Sequence, residues 1–311
     1  MRIYNSFAEI TFDKKRLISV GSFDGVHRGH EFILKSMIAQ AKNENLKTLV
    51  ITFDPHPQCV LGKHPDFKIL SDKNEKLQLF ARFQIDEVLV IPFTIEFSMI
   101  DARSFLLDYL VGKIGFTQIL AGYDNFFGKD RTGNRTLLEQ EAERHGYKVT
   151  ETGIFRSKDF VISSTLIRKL LQDNNIETAN ELLGYSYSLN GEVVTGNRLG
   201  RTLGFPTINI KPNNCKKLLP GCGVYLTRSY LNGDEFFGMA NIGLRPTLTN
   251  DKNPTLEINL FDFSGDAYGM PVKSEFLHFI RPEQKFSEVD DLIAQMQSDK
   301  KKCSELINKL L

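Results

Sequence analysis

Apolar positions in the first half of the chain switch between two periods. Residues 17–20 are short and apolar, and a Gly-bounded turn follows. Residues 31–41 then place Ile33, Leu34, Met37, Ile38 and Ala41 on one helical face. Residues 48–53 are apolar at nearly every position, the pattern of a strand covered on both faces. Residues 88–91 and 118–121 read as further buried strands, with helices over 74–83, 102–111 and 136–145 between them. Alternation of this kind predicts a parallel sheet wound with helices. Ligands of such sheets sit at the carboxyl ends of the strands, which directs attention to the loops after Val20, Phe53 and Ala121.

Ser163-Ser164 reads as the cap of a helix over 165–172, and a second helix follows over 176–183. After Gly184 the pattern changes. From 188 to 280 the apolar segments are short, strand-like and punctuated by Gly, Pro and Asn. Asn232-Gly233 predicts a two-residue hairpin between 224–230 and 235–240. Residues 256–263 and 274–280 add strands, and 287–311 form an amphipathic helix. The expected fold is therefore α/β: a domain over 1–183 with a parallel sheet, then a small antiparallel β-barrel with a terminal helix over 184–311.

Composition adds exclusions rather than chemistry. A length of 311 residues suits two domains. Lys plus Arg number 39 against 38 Asp plus Glu, so no global charge draws the chain to nucleic acid or an anionic membrane. Cys59, Cys215, Cys222 and Cys303 form no C-x-x-C pair, the first residues lack an apolar core, and no apolar run reaches membrane-spanning length. These features point to a reduced, cytoplasmic protein without nucleic-acid or membrane partners.

The loop after the first strand reads Gly21-Ser-Phe-Asp-Gly-Val-His-Arg-Gly-His30. His27 and His30, three apart at the start of a helix, share a face beside unpaired backbone N–H groups. Such a place suits a triphosphate, since the helix terminus favours anions and imidazoles donate to phosphate oxygens. Gly29 allows close approach of a flat base. Helix capping is the simpler alternative; metal binding lacks nearby Cys or carboxylates at ligand spacing. Asp54-Pro-His-Pro-Gln-Cys59 reads as a rigid loop presenting Asp54 and His56 beside this site. Neither a P-loop nor G-x-G-x-x-G after a strand is present.

A second motif runs through residues 191–209, GEVVTGNRLGRTLGFPTIN. Gly196, Gly200 and Gly204 recur within a stretch containing Arg198 and Arg201, so the backbone is free to curl around phosphate. Solvated arginines on a loose loop are the alternative. Thr207 and Asn209, two apart on a strand, point the same way and offer hard oxygens to a cation such as Mg²⁺.

In its extended form, G-x-F-D-G-x-H-x-G-H, the first motif resembles that of the bacterial bifunctional riboflavin kinase/FMN adenylyltransferase family. Residues 52–57, 122–133 and 162–168 resemble that family's second, third and fourth motifs. Residues 196–209 resemble its kinase signature, with Ile208 where Ala is usual. The resemblance implies a Rossmann-like nucleotidyltransferase domain followed by a kinase barrel. ATP would be a co-substrate of both, Mg²⁺ a cofactor, and riboflavin, FMN and FAD the other small-molecule partners. It further implies that Gly21, Phe23, Asp24, Gly25, His27, Gly29, His30, Ser164, Thr165 and Arg168 contact ATP in the first domain. There Asp54, His56, Asp124, Asn125 and Phe127 would contact FMN, Asn125 standing where an aromatic residue is usual. In the barrel, Gly196, Arg201, Gly204, Thr207 and Asn209 would hold ATP, with Thr207 and Asn209 also ligating the metal. Glu257 would be general base, with Arg281 near the flavin. His27, His30 and Glu257 are the implied catalytic residues. The rival readings are another H-x-G-H transferase with an unrelated barrel, a class I aminoacyl-tRNA synthetase, and a flavin sensor without catalysis.

Overall fold

The computed structural model describes residues 1–62, 64–122, 127–153, 155–157, 160–196, 199–244 and 254–310. The chain forms two compact units, residues 1–164 and 165–311.

The first unit is built on six parallel strands: β1 (Arg2–Tyr4), β2 (Arg16–Val20), β3 (Lys47–Asp54), β4 (Glu87–Pro92), β5 (Gln118–Ala121) and β6 (Lys148–Glu151). Their spatial order is β1-β4-β3-β2-β5-β6. The chain winds outward from β2 to β4 and then restarts on the other side at β5. The crevice between β2 and β5 is thus the switch point, where ligands of such sheets bind. Leu49, Val50 and Ile51 have no exposed surface, as their unbroken apolar run predicts. The helix after β2, α1 (Arg28–Glu44), buries Leu34, Met37 and Ala41 at helical spacing, and the Leu34 and Met37 side chains each contribute about 1.5–3 kcal/mol. It stops at Asn45, whose left-handed backbone (φ 53°) closes the last turn.

The segment after β3 differs from the sequence reading. Residues 57–61 form a helical turn, α2 (Pro57–Leu61), rather than a continuous loop. Pro57 occupies its first turn, and His56 caps it by accepting from the Gln58 N–H at 3.1 Å. α3 (Lys73–Arg82) and α4 (Ile95–Ser98) follow β3 and β4, and then α5 (Ala102–Ser104) continues as a π-helix over Phe105–Ile114. Phe105, Leu106, Leu110 and Ile114 are buried within it, and Gly115 N–H closes it onto the Leu110 carbonyl at 2.9 Å. α6 (Arg135–His145) and a two-stranded hairpin, β7 (Arg156–Ser157) with β8 (Phe160–Val161), complete the unit's elements.

The second unit opens within α7 (Ser164–Gln172), continues with α8 (Ile176–Leu183), then closes six antiparallel strands into a barrel in the order β10-β13-β12-β11-β14-β9. The strands are β9 (Ser188–Val194), β10 (Ile208–Pro212), β11 (Gly223–Leu231), β12 (Asp234–Leu244), β13 (Pro254–Leu260) and β14 (Pro271–Arg281), with a helical turn α9 (Leu199–Thr202) before β10. Asn232 and Gly233 take the positive φ values, 51° and 93°, that the hairpin turn requires. Leu256, Ile258 and Leu260 alternate inward with Tyr225, Ala240 and Phe276. The terminal helix α10 (Val289–Leu310) covers Val224, Leu226, Met239 and Ile280 and inserts fully buried Cys303 among them.

The sequence reading divides the chain near Gly184, whereas the compact units divide after Ser164. Hydrogen bonds show why α8 goes with the barrel: Asn180 donates to the Phe276 carbonyl at 2.8 Å and accepts from Tyr187 N–H at 2.7 Å.

Candidate active sites

In the first unit the loop from Gly21 to His27 is held by groups that its own sequence does not advertise. The Asp24 carboxylate is buried and accepts from the Leu70 and Ser71 N–H groups at 3.0 Å, while Ser71 Oγ accepts from Gly25 N–H at 2.8 Å. Phe23 and Val26 sit at φ 47° and 36°, a left-handed conformation that costs about 1–3 kcal/mol per residue when the side chain is not Gly. The Phe23 ring packs edge-on against Phe80 at 5.6 Å and tilts against His30 at 5.1 Å. Burial and the Asp24–Ser71 clasp together hold that strain in place.

His27 caps α1: its Nδ1 accepts from the His30 N–H at 3.3 Å, so the neutral ring carries its proton on Nε2. The two imidazoles stack with centroids 3.7 Å apart and planes within 12°. A methyl group on Gly29 would press on the His27 ring at 3.2 Å, so this glycine leaves room for the capping histidine. His30 Nδ1 is enclosed without a hydrogen-bond partner. Burial, assisted by His27 and Lys76, holds the His30 pKa well below the ordinary 6.5. His30 is therefore neutral at pH 7, and His27 Nε2–H and the helix N-terminus are donors suited to an anion.

Around this pair the remaining predicted residues divide. The Ser164 hydroxyl donates to the Asp24 carbonyl at 2.8 Å, which brings it to the histidine loop. Thr165 and Arg168 stand on α7, in the second unit. Asp54 ends β3, and the His56 ring stacks on Phe67 at 4.8 Å. Phe127 is 8% exposed and packs in the core against Phe105 at 6.0 Å. Asp124 and Asn125 lie outside the described residues.

Sequence reasoning missed Lys76. This α3 residue is 4% exposed, and its ammonium donates to the Ser22 carbonyl, Thr52 Oγ1 and the Phe53 carbonyl, each at 3.1 Å. Burial depresses its pKa against the opposing pull of Asp24, Asp54 and Asp72. The capping box of α3, Asp72 with Glu75, is the sequence signal that places a helix start there; nothing local marks the lysine as buried.

In the barrel, register does the assembling. Asn209 lies opposite Glu257, Glu257 opposite Asn241, Asn241 opposite Val224, and Val224 opposite Arg281. Asn209, Glu257 and Asn241 therefore form a row on the outward face, since their strand neighbours Ile210, Ile258 and Ile242 are buried. Thr207 Oγ1 donates to Glu257 Oε2 at 3.5 Å, the long end of the range. Asn209 is 7% exposed because the Gly196 backbone lies against its side-chain amide, so close that a Cβ on Gly196 would overlap it. Gly204 has φ 82° and open space around it. Asn259, also missed from sequence, donates to the Pro206 carbonyl at 2.7 Å and fixes the Pro-Thr-Ile-Asn segment. The register also places Asn241 across from Glu257.

Arg281 is clasped by Asp299 of α10 at 2.8 Å, and Gln295 donates to the same carboxylate. That contact ties the terminal helix to β14. The side chain of Arg201 and residues 197–198 and 245–253 lie outside the described set. Among the described residues no cluster of three or more His, Cys, Asp or Glu converges as a metal cage.

Comparison with known proteins follows the same division. Residues 9–166 match the FAD synthetase family and residues 183–307 the riboflavin kinase family. The second match overturns the reading of an unrelated barrel. A bifunctional riboflavin kinase/FMN adenylyltransferase from Listeria monocytogenes is 36% identical over 96% of this chain and 94% of its own length. One from Escherichia coli is 34% identical over 91% and 90%. A solved structure from Streptococcus pneumoniae, described as a macrolide-efflux protein, is 29% identical with a TM-score of 0.85, covering 96% of this chain and 97% of that one. Among the described residues no helix is long and apolar enough to cross a membrane. With both halves matched in order and the curated relatives covered almost end to end, the chain belongs to the bifunctional riboflavin kinase/FMN adenylyltransferase family and makes FMN and FAD from riboflavin and ATP.

Proposed function

We propose that adenylylation runs at the His27–His30 loop and phosphorylation along the outward row of the barrel, the activities dividing between residues 1–183 and 184–311. The observation that carries the barrel assignment is Glu257 placed between Thr207 Oγ1 and, across the register, Asn209. Glu257 takes the proton of the ribityl 5′-hydroxyl as that oxygen bonds to the γ-phosphorus of ATP and the bond to ADP breaks. The backbone around Gly196 and Gly204 receives the nucleotide phosphates, with Arg201 assigned to them by the resemblance. Thr207 and Asn209 offer hard hydroxyl and amide oxygens beside a carboxylate, a donor set that fits Mg²⁺ shared with those phosphates. When bound, the ion neutralises phosphate charge.

At the first site an oxygen of the FMN phosphate attacks the α-phosphorus of ATP, and pyrophosphate leaves. The attacking group is already ionised, so no protein base is required. His27, through Nε2–H, and His30 stabilise the charge that builds on the phosphorus centre and the leaving pyrophosphate. Gly21, Phe23, Asp24 and Gly25 shape this loop, while Ser164, Thr165 and Arg168 are assigned to the phosphates by the resemblance alone. Asp54 and His56 stand at the end of β3 as the FMN side, with Asp124, Asn125 and Phe127 assigned there by the same resemblance. In the barrel, Arg281 is assigned to the flavin in that way. Use of ATP in both steps fits an enzyme of the cytoplasm.

Chromatography of flavins formed from riboflavin, or from supplied FMN, with ATP and Mg²⁺ tests the assignment. His30→Ala should make FMN but no FAD. Glu257→Gln should make no FMN yet adenylylate supplied FMN. Loss of both activities in either variant would defeat the two-site reading.

A further inference from the structure

The ammonium of Lys76 has three protons, and all three are taken by Ser22 O, Thr52 Oγ1 and Phe53 O. Ser22 lies at the start of the histidine loop, and Phe53 precedes Asp54 and the His56 turn. Thr52 Oγ1 closes the triangle by donating to the same Ser22 carbonyl at 3.1 Å. One buried cation thus fastens together the carboxyl ends of the adjacent parallel strands β2 and β3, where the two halves of the proposed site begin.

The acceptors are neutral, so no contacting carboxylate cancels the charge. Asp24, Asp54 and Asp72 exert an opposing electrostatic pull without touching the ammonium: both oxygens of Asp24 accept from the Leu70 and Ser71 N–H groups, and Asp72 caps α3 by accepting from Glu75 N–H. Asp54 faces the lysine from the end of β3, and His30 feels its charge from α1. A desolvated ammonium held by neutral dipoles raises the potential above the strand ends, where an anion arrives. A purely structural tie needs donors but no charge.

We propose that Lys76 is a positioning residue for adenylyl transfer: it locks the His27–His30 loop to the end of β3 and keeps a fixed positive charge beneath the triphosphate. It does not touch substrate, since its three protons are committed and its side chain is buried. The inference rests on the reading of the His27–His30 loop as the adenylylation site. It predicts that charge at this position matters beyond the hydrogen bonds.

The test compares Lys76→Met, Lys76→Gln and Lys76→Arg in the full chain, with riboflavin phosphorylation by the same molecules as internal control. Met fills the space without charge or donors, Gln keeps two N–H donors without charge, and Arg keeps charge in a larger head group. FAD formation should fall about 100-fold in the Met and Gln variants, chiefly in kcat, with partial recovery in Arg and unchanged FMN formation. The ring signals of the six histidines give a second readout: removing the cation should move the His30 titration to higher pH. If Lys76→Met loses the fold of the first unit, Lys76→Gln carries the same comparison.

Lys76→Gln with FAD formation within threefold of the parent, while His30→Ala abolishes it, would overturn the proposal and leave the site in place. Loss of activity with an unmoved His30 titration and no recovery in Arg would reduce Lys76 to a structural tie and equally overturn it. Full FAD formation by His30→Ala would instead remove the underlying site reading.

Discussion

The two proposed sites of this chain are built by opposite means. The first is made by a helix terminus and a loop in strained backbone, kept in place by buried polar groups brought from sequence-distant elements: Asp24 with Ser71, and Lys76 with Ser22 and Phe53. In the barrel, Asn209, Glu257 and Asn241 are brought into one row by strand register, with Gly196 giving clearance. A site made from register tolerates change around it as long as the strands keep their pairing. One made from buried charges is rigid but depends on residues far from the reacting atoms.

That contrast is open to direct attack. The largest expected effect is on the barrel: Glu257→Gln should lower phosphorylation by about 10²–10⁴-fold, read as initial rates of FMN formation, if proton removal is its role. His30→Ala should lower adenylylation by about 10²–10³-fold. Gly196→Ala pushes a methyl group into the Asn209 amide and should weaken the kinase by about 1–3 kcal/mol in kcat/KM, with supplied FMN still adenylylated normally. Asn259→Ala leaves the buried Pro206 carbonyl without its donor. Its cost of about 1–3 kcal/mol should appear first as a lowered melting temperature of the barrel.

The smallest effect concerns pH. His30 binds its proton less readily folded than unfolded, so the unfolded chain takes up more protons as pH falls below about 6.5. Stability of the first unit is therefore full above that pH and declines below it. His30→Asn should flatten the decline, seen as a difference of about 2–4 °C in melting temperature between pH 7 and pH 5.

Much of this architecture is legible in the amino-acid pattern, for definite physical reasons. The doubly covered strands announce themselves as unbroken apolar runs, and Asn232-Gly233 announces its turn because few other pairs adopt positive φ together. The two candidate motifs are legible because glycines cluster in both and two histidines stand together in the first. Lys76 is not: a lysine amid Asn, Glu and Gln on α3 reads as a solvated helix face. Only the convergence upon it of Ser22, from a loop, and of Thr52 and Phe53, from the end of β3, makes its burial favourable. The same holds for Arg281 and Asp299, whose pairing across 18 positions depends on where the terminal helix lands. The short strand β1 at the sheet edge carries too few residues to show a period, and closure of the barrel is a property of six strands together.

Cys303 turns the terminal helix into a built-in reporter. Its thiol has no exposed surface, and burial, with Asp299 nearby, pushes its pKa up to about 12, so it meets alkylating reagents neither as an accessible group nor as a thiolate. Cys215 is exposed and reacts without any opening. The ratio of their labelling rates would report any opening that uncovers Cys303 beneath α10, so such opening can be timed during turnover without introducing a new cysteine.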